Sequence, residues 1–157
     1  MINQAIWMIP LVVIGIDQWI KHGVRCLSNG VPFFRISGIL ELVPSFNTGA
    51  AFSLLHGHNA VLIMLSIVLL AFLCLYTKKT LRLTKGARVS CLCLLSGGIG
   101  NLIDRILYGG VTDYIRLLFI NFPIFNLADI VITCSVLVLI LLTLTNRLED
   151  TSGDRHG

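Results

Sequence analysis

Long apolar stretches alternate with short polar connections along this chain, and four stretches are long enough to cross a bilayer as helices. A transmembrane helix needs roughly 20 mostly apolar residues, and the four stretches lie near residues 5–24, 59–76, 87–107 and 125–145. The first lacks a preceding basic segment and a small-residue cleavage site, so we interpret it as a retained helix. The pattern predicts an all-α polytopic membrane protein, with one membrane-embedded domain over residues 1–147 and a disordered cytoplasmic tail over 148–157.

Two of the connections are themselves partly apolar. In the first, Leu40-Glu41-Leu42 alternates apolar and charged positions between turn residues, which predicts short strands and a small sheet at about residues 31–55. The second turns at Gly109-Gly110 and then runs apolar from Tyr114 to Pro123. We interpret this second run as a segment lying along the membrane interface.

Composition agrees with a chain whose solvent is lipid. Of 157 residues, 55% are hydrophobic and 13% are charged, and the mean hydropathy is +0.87. The formal net charge of +4 does not indicate a nucleic-acid partner, because the connection between the second and third helices is basic and carries no acid. The positive-inside rule places that connection and both termini in the cytoplasm. Its cations are Lys78, Lys79, Arg82, Lys85 and Arg88.

The cysteines and histidines do not form a metal-binding pattern. Five cysteines, an odd number, lie mostly in apolar stretches without a C-x-x-C pair, and the four histidines show no i, i+4 pair on a helix. We expect the cysteines to serve packing and the histidines to lie at the surface. The sequence predicts neither a cofactor nor a metal. The cysteines are Cys26, Cys74, Cys91, Cys93 and Cys134.

Acidic residues are rare outside the tail, and four of them lie in or beside predicted helices. An ionisable group at the bilayer centre costs about 3 kcal/mol on insertion scales, so each is a functional candidate by default. Asp17 and Lys21 are four apart on one helix and can form an ion pair. Alternatively, Lys21 reaches the surface to meet a lipid or substrate headgroup. The other three acids are Asp104, Asp113 and Asp129.

The third apolar stretch contains a polar cluster within one helical turn. Asn101, Asp104 and Arg105 follow Gly97-Gly98-Ile99-Gly100, and such glycines allow another backbone to approach closely. The cluster either locks the helices together or forms the wall of a site, and the two interpretations are compatible.

Asp129 has two interpretations. Asn126 can cap the fourth helix, which places Asp129 near the third helical position, where a carboxylate is favoured in any protein. Asp113, however, lies in the second outer connection, and a short apolar linker could bring it to Asp129. Two adjacent carboxylates cannot both ionise easily, and such a pair can activate water and hydrolyse an amide. The spacing alone leaves both interpretations open.

The sequence gives less support to other reaction types and functions. The chain has no H-E-x-x-H zinc motif. A proton- or ion-coupled transporter would use the same charged residues, but four helices without an inverted repeat argue against it. A noncatalytic assembly factor would use the glycine run as a docking face.

Five motifs in order resemble those of the bacterial lipoprotein signal peptidases, or signal peptidase II. Asp17-Gln18-Trp19-Ile20-Lys21 is similar to the family's D-x-x-[ST]-K, and residues 47–53 are similar to N-x-G-A-A-F-S. Residues 97–105 resemble G-G-x-x-N-x-x-D-R, residues 111–114 resemble V-x-D-F, and residues 125–129 resemble F-N-x-A-D. Ile20 replaces the usual hydroxyl residue, and Tyr114 replaces phenylalanine.

The resemblance implies a multi-pass enzyme of the bacterial cytoplasmic membrane, with four transmembrane helices, a small extracytoplasmic β-cradle and an interfacial segment. It implies an aspartyl endopeptidase that removes the signal peptide from diacylglyceryl-modified prolipoproteins, cutting just before the lipidated cysteine. We expect it to be a monomer without a cofactor. By motif position, the catalytic dyad falls on Asp113 and Asp129. The supporting and substrate-binding positions fall on Asp17, Lys21, Asn47, Gly49, Asn101, Asp104, Arg105, Asn126 and Ala128.

Overall fold

The computed structural model describes residues 4–49, 55–79 and 83–149. A short 3-10 helix, Gln4–Met8, leads into four α-helices. The predicted apolar stretches are therefore helical. The part of the predicted sheet region at residues 50–54 and the tail from residue 150 lie outside the described residues. The helices are α1 (Ile9–Arg25), α2 (Asn59–Lys79), α3 (Lys85–Tyr108) and α4 (Leu127–Leu144).

Three of these helices are long and apolar enough to cross a membrane: Asn59–Thr77 within α2, and the whole of α3 and α4. The chain is thus a membrane-embedded, multi-pass protein. α1 has 17 residues and spans about 26 Å at 1.5 Å per residue, slightly less than the roughly 30 Å of a bilayer's hydrocarbon core. The 3-10 helix lengthens it by five residues.

α3 is the central helix, and it packs against the other three. Two of its glycines allow the closest approaches. A Cβ at Gly97 would lie 2.7 Å from the backbone carbonyl oxygen of Ala128, and one at Gly100 would lie 2.7 Å from Oδ2 of Asp17. Glycine therefore lets α4 and a charged side chain of α1 contact the backbone of α3, as the sequence predicts for this run.

Three strands form an antiparallel sheet with the order β1-β2-β3: β1 (Phe34–Ile36), β2 (Leu40–Asn47) and β3 (Val111–Leu117). The predicted strands in the first connection are confirmed. The second connection contributes a strand that the sequence did not predict, because residues 114–117 of the apolar run belong to β3. The physical reason is pairing across the sheet. Arg116 lies opposite Glu41 of β2, and its guanidinium donates to that carboxylate at 2.8 Å.

The end of the molecule away from the sheet is closed by the residues just after α4. Two residues that the sequence assigns to the tail make contacts here. Glu149 pairs with Leu83, and the Leu148 carbonyl accepts from the Thr84 backbone N–H at 3.0 Å. Thr84 in turn caps α3 through its hydroxyl, which accepts from the Ala87 N–H. A small apolar cluster around Leu83 and Cys91 lies beneath this pairing.

The cysteines are all free. Cys91 is buried, as expected of a packing residue, whereas Cys26 and Cys134 are exposed. No group of three or more histidine, cysteine, aspartate or glutamate side chains within the described ranges could hold a metal ion.

Candidate active site

Asp113 lies in the third strand and is only 3% exposed. Its two carboxyl oxygens accept hydrogen bonds from two amides that come from different elements. Nδ2 of Asn47, at the end of β2, donates to Oδ2 at 3.0 Å, and Nδ2 of Asn126, just before α4, donates to Oδ1 at 2.7 Å. The sheet and the start of α4 thus fix this carboxyl jointly.

The Asp113 carboxyl titrates far from its ordinary range. Burial is the largest cause and the nearby charge of Asp129 acts in the same direction, and together they raise the pKa of Asp113 to about 7. The amide donors of Asn47 and Asn126 and the charge of Lys21 lower it, but they do not offset the burial. Near neutral pH this side chain therefore exchanges readily between its neutral and charged forms.

Asp129 is the third residue of α4 and forms a reciprocal cap with Asn126. The Asp129 N–H donates to Asn126 Oδ1 at 3.0 Å, and the Asn126 N–H donates to Asp129 Oδ2 at 3.1 Å. The helix-cap interpretation is therefore confirmed. The other carboxyl oxygen, Oδ1, accepts from Asn101 Nδ2 at 2.8 Å, so the same side chain also faces α3.

The structure brings Asp113 and Asp129 to the wall of one cavity of about 500 Å³. Two asparagines link the carboxylates. Asn126 donates both to Asp113 and, at 3.1 Å, to the Oδ1 of Asn101, and Asn101 donates to Asp129. The rest of the wall is mostly apolar and follows α4 away from the sheet. It includes Leu117, Ile120, Phe122, Ile130, Ile132, Thr133 and Cys134.

Behind this cavity, α1 and α3 share a buried ionic cluster. Lys21 is fully buried; its Nζ lies 2.9 Å from Asp17 and 3.8 Å from Asp104, and donates to Asn101 Oδ1 at 2.8 Å. The predicted ion pair with Asp17 is confirmed, and the alternative in which Lys21 reaches a headgroup is wrong. Because a buried charge requires a partner, the cluster ties the two helices and fixes which way the Asn101 amide faces.

The ionic cluster also holds the backbone on both sides of the dyad. Asp17 Oδ1 accepts from the Ala128 N–H at 3.1 Å, one residue before Asp129. Asp104 Oδ2 accepts from the Thr112 N–H at 2.9 Å, one residue before Asp113. Each candidate catalytic aspartate thus follows a residue whose backbone is bound to a buried carboxylate.

Arg25 and Gln18 take part in this cluster, although no motif singled them out. Arg25 Nη1 donates to Thr112 Oγ1 at 3.1 Å and lies 3.4 Å from Asp104 Oδ1, with its guanidinium 4.2 Å from the Tyr108 ring centre. Gln18 donates to Asp104 at 3.0 Å. The helical spacing of Asp17, Lys21 and Arg25, four residues apart each time, was the signal that could have identified Arg25.

Arg105 and Gly49 hold the turn that carries Asn47. Arg105 Nη2 donates to the Gly49 carbonyl at 3.0 Å, and the Gly49 N–H donates to Asn47 Oδ1 at 2.9 Å. This arrangement orients the Asn47 amide so that its Nδ2 faces Asp113. Within the described residues, Arg105 Nε is buried without a hydrogen-bond partner, and Arg105 lines the cavity of the dyad.

Tyr114 gains a structural role from the hydroxyl that distinguishes it from the phenylalanine of the motif. Its Oη accepts from the Leu127 N–H, at the first turn of α4, at 3.2 Å. The side chain is buried, and this burial raises the pKa of Tyr114 to about 12. A phenylalanine could not make this bond, so the tyrosine fixes the start of α4 directly to β3.

Comparison with known proteins supports the resemblance. The family model described as signal peptidase (SPase) II matches residues 9–145. The chain belongs to the signal peptidase II family. Among curated family members, a lipoprotein signal peptidase of Streptococcus thermophilus is 38% identical over 153 residues, and the match covers 97% of each chain. One from Caldicellulosiruptor bescii is 40% identical over 145 residues, covering 92% of this chain and 93% of the relative.

A solved structure of a bacterial membrane enzyme at 2.3 Å resolution has the same fold. It superposes with a TM-score of 0.85 at 29% identity, covering 99% of this chain and 94% of the other. A second, at 1.9 Å resolution, gives a TM-score of 0.83 at the same identity. Because 99% of this chain is matched in the first superposition, the likeness of fold extends over both the helices and the sheet.

Proposed function

We propose that this chain is an aspartyl endopeptidase that removes the signal peptide from diacylglyceryl-modified prolipoproteins, cutting just before the lipidated cysteine. Membership of the signal peptidase II family supports a peptidase. The observation that carries the aspartyl mechanism is the pair of carboxyl groups on one cavity, of which Asp113 is buried with its pKa raised to about 7. The apolar remainder of that cavity fits a substrate that carries lipid.

In this mechanism the two aspartates hold one proton between them. Asp113 is the neutral member, because burial and the neighbouring charge disfavour its ionisation. Asp129 is the ionised member, since its place at the start of α4 favours a carboxylate. Asp129 takes a proton from water, the hydroxide attacks the scissile carbonyl, and Asp113 gives its proton to the carbonyl oxygen.

The tetrahedral intermediate then collapses. Asp129 returns its proton to the leaving nitrogen while the carbon–nitrogen bond breaks, and Asp113 recovers the proton of the gem-diol as the carboxylic acid product forms. No covalent adduct with the enzyme arises. The asparagines at 47, 101 and 126 keep each carboxyl oriented through the cycle, and Arg105 supplies positive charge at the cavity wall.

The supporting residues act by position. Asp17 and Asp104 fix the backbone before each dyad member, and Lys21 neutralises both carboxylates. Ala128 and Gly49 offer backbone groups to the network around the dyad. The basic connection between α2 and α3 supports a topology in which it faces the cytoplasm and the sheet faces outward. A monomer contains every residue of the proposed site.

The test is cleavage of a diacylglyceryl-modified preprotein by purified Asp113→Asn and Asp129→Asn variants. Each is expected to lose activity by at least about a thousandfold, because an amide can neither accept the proton of water nor donate one to the carbonyl. Glu41→Gln is the matched control, since Glu41 is a buried acid of the same sheet, paired with Arg116 away from the cavity. If either dyad variant cuts at the wild-type rate, the assignment is wrong.

A further inference from the structure

A second cavity, of about 410 Å³, opens on the sheet side of the dyad. Asn47 and Asp113 line both cavities, and so does the segment 122–124. Asp113 therefore stands where the two cavities meet. A volume of this size lies within the range of pockets that bind ligands, about 300–1,000 Å³.

The second cavity differs chemically from the first. Besides the shared Asn47, four polar side chains without a carboxyl group line it, contributed by β2, by the turns that follow it and by the segment after β3, whereas the first cavity is mainly apolar. Apart from Asp113, its described wall carries no acid. We call it the polar cavity. The four side chains are Ser45, Thr48, His56 and Asn121.

His56 is held in a defined orientation at this wall. Its Nδ1 is 2.9 Å from the hydroxyl oxygen of Thr48, another residue of the polar cavity. With Nδ1 engaged, the second ring nitrogen, Nε2, is the atom with which His56 can bond a peptide group.

A peptide whose scissile bond lies at Asp113 must continue in both directions from it. The first cavity, which is mainly apolar, follows α4 and suits the lipid and the apolar signal peptide. The chain beyond the lipidated cysteine is leaving the membrane and has polar backbone groups that need hydrogen-bond partners. The polar cavity lies on the sheet side of Asp113 and supplies such partners.

We propose that the polar cavity binds the first residues of the mature chain, those that follow the lipidated cysteine, and that His56 contributes a hydrogen bond to a peptide group of that segment. This inference rests on the proposed function, because it assumes that the scissile bond lies at the dyad. It adds a substrate segment and assigns a role to Ser45, His56 and Asn121, which lie outside the catalytic motifs.

The experiment compares two lipidated substrates with the same signal peptide. The shorter substrate ends at the lipidated cysteine, whose carboxyl group is converted to an amide. The longer substrate continues for five polar residues after that cysteine. In the wild type, the longer substrate is expected to have the lower KM. The His56→Ala substitution should reduce the kcat/KM ratio of the longer over the shorter substrate about fivefold, the effect of one lost hydrogen bond, and the reduction should appear in KM.

His58→Ala is the matched control. His58 lies two residues further on, bonds the His56 carbonyl through its own ring at 3.1 Å, and does not line the polar cavity. Its substitution should leave the ratio at the wild-type value. If His56→Ala slows both substrates equally, His56 acts through Thr48 on the neighbouring Asn47, and the binding inference is wrong. An unaltered ratio also overturns it.

A crosslink separates this inference from the proposed function. A photoreactive residue placed two positions after the lipidated cysteine, with the protein carrying Asp129→Asn, is expected to label residues that line the polar cavity alone. These are Ser45, Phe46, Thr48, His56 and Asn121. Labelling of Ile130–Cys134 on α4 instead would overturn the inference even where the wild type cleaves. Conversely, labelling at the polar cavity, together with a wild-type chain that cleaves neither substrate, would contradict the peptidase and leave the binding segment standing.

Discussion

The Asp113 side chain is subject to opposing effects that the structure separates. Burial and the charge of Asp129 favour its neutral form, whereas the amide hydrogens of Asn47 and Asn126 favour the carboxylate. Because the two amide donors stabilise the carboxylate, the pKa of Asp113 lies near 7 and not at the higher value that burial alone would give. A proton donor works best when its pKa is close to the working pH, so the asparagines adjust the acid strength as well as orient it.

The pH dependence of cleavage follows from this balance. Asp113 holds its proton below about pH 7. As the pH rises through that value, the proton is lost, both aspartates become charged and kcat/KM should fall. The observed midpoint is a property of the pair and not of Asp113 alone. Asn47→Leu removes a donor to the carboxylate while keeping the site filled. The pKa of Asp113 then rises, and the alkaline limb should move up by about one pH unit.

The measurement is kcat/KM between pH 5 and 9 in both proteins. Ser45→Ala is the control, because Ser45 lies opposite Asp113 in the sheet and its loss removes neither of the amide bonds to the carboxyl. The Ser45→Ala limb should stay at the wild-type pH. An Asn47→Leu limb that stays there too, or moves down, would show that this hydrogen bond does not set the acid strength of Asp113.

At the scale of the elements, the contact between α3 and α4 positions Asp129. Gly97→Ala places a Cβ 2.7 Å from the Ala128 carbonyl and 2.8 Å from Ile132, so α4 must move away from α3. We expect an overpacking cost of about 1–3 kcal/mol. Because Asn101 on α3 bonds Asp129 on α4, a drop in kcat of tenfold or more should accompany the loss of stability.

The adjacent glycine provides the comparison. A Cβ at Gly98 would meet Leu70 at 2.7 Å, but at a terminal methyl of a side chain that can change rotamer. Gly98→Ala should therefore lower kcat by less than threefold. Thermal unfolding and single-substrate kinetics on both variants check the pair. If Gly97→Ala and Gly98→Ala lower kcat equally, the distance between α3 and α4 does not control catalysis.

The elements differ in how far the sequence predicted them. The helices follow from the lengths of the apolar stretches, and the cap of α4 follows from Asn126 and Asp129 standing three residues apart. β1 and β2 follow from alternation around Glu41. β3 was missed because its reason lies elsewhere in the chain: Arg116 is stabilised opposite Glu41, 75 residues away, and a local pattern does not contain that pairing.

The site was predictable in part for the same physical reason. The motifs identified residues whose spacing along one helix is fixed, such as Asp17 and Lys21, or Asn126 and Asp129. The spacing did not show that Asn126 donates to Asp113, or that Arg25 reaches Thr112 from the end of α1. Those contacts depend on how the sheet sits on the helical bundle, which no single segment determines.

On the scale of the whole molecule, the two ends are chemically different. The sheet, both cavities and the dyad lie at one end, beside the last turn of α1. The bridge between Leu83 and Glu149 lies at the other end. Between them, α2 and α4 present large exposed apolar side chains, among them Leu65, Phe72, Leu137 and Leu141. Such a distribution suits a molecule whose ends face different aqueous compartments.

This asymmetry yields a test of orientation that uses native residues. Cys26 is exposed at the sheet end, and Glu149 is exposed at the other end. In bacterial spheroplasts, a chain with Cys26 as its single cysteine should react with a membrane-impermeant maleimide. A chain with Glu149→Cys as its single cysteine should react only after permeabilisation, because the proposed topology places the basic connection, and with it that end, in the cytoplasm.

Both single-cysteine chains must still cleave the lipidated substrate, which shows that replacing the other cysteines has not disturbed the fold, and Cys26→Ser gives the background labelling. The opposite pattern would place the dyad on the cytoplasmic side. A lipid-anchored substrate whose mature portion has already crossed the membrane presents its scissile bond at the outer surface, so the reversed orientation would contradict the proposed substrate as well as the topology.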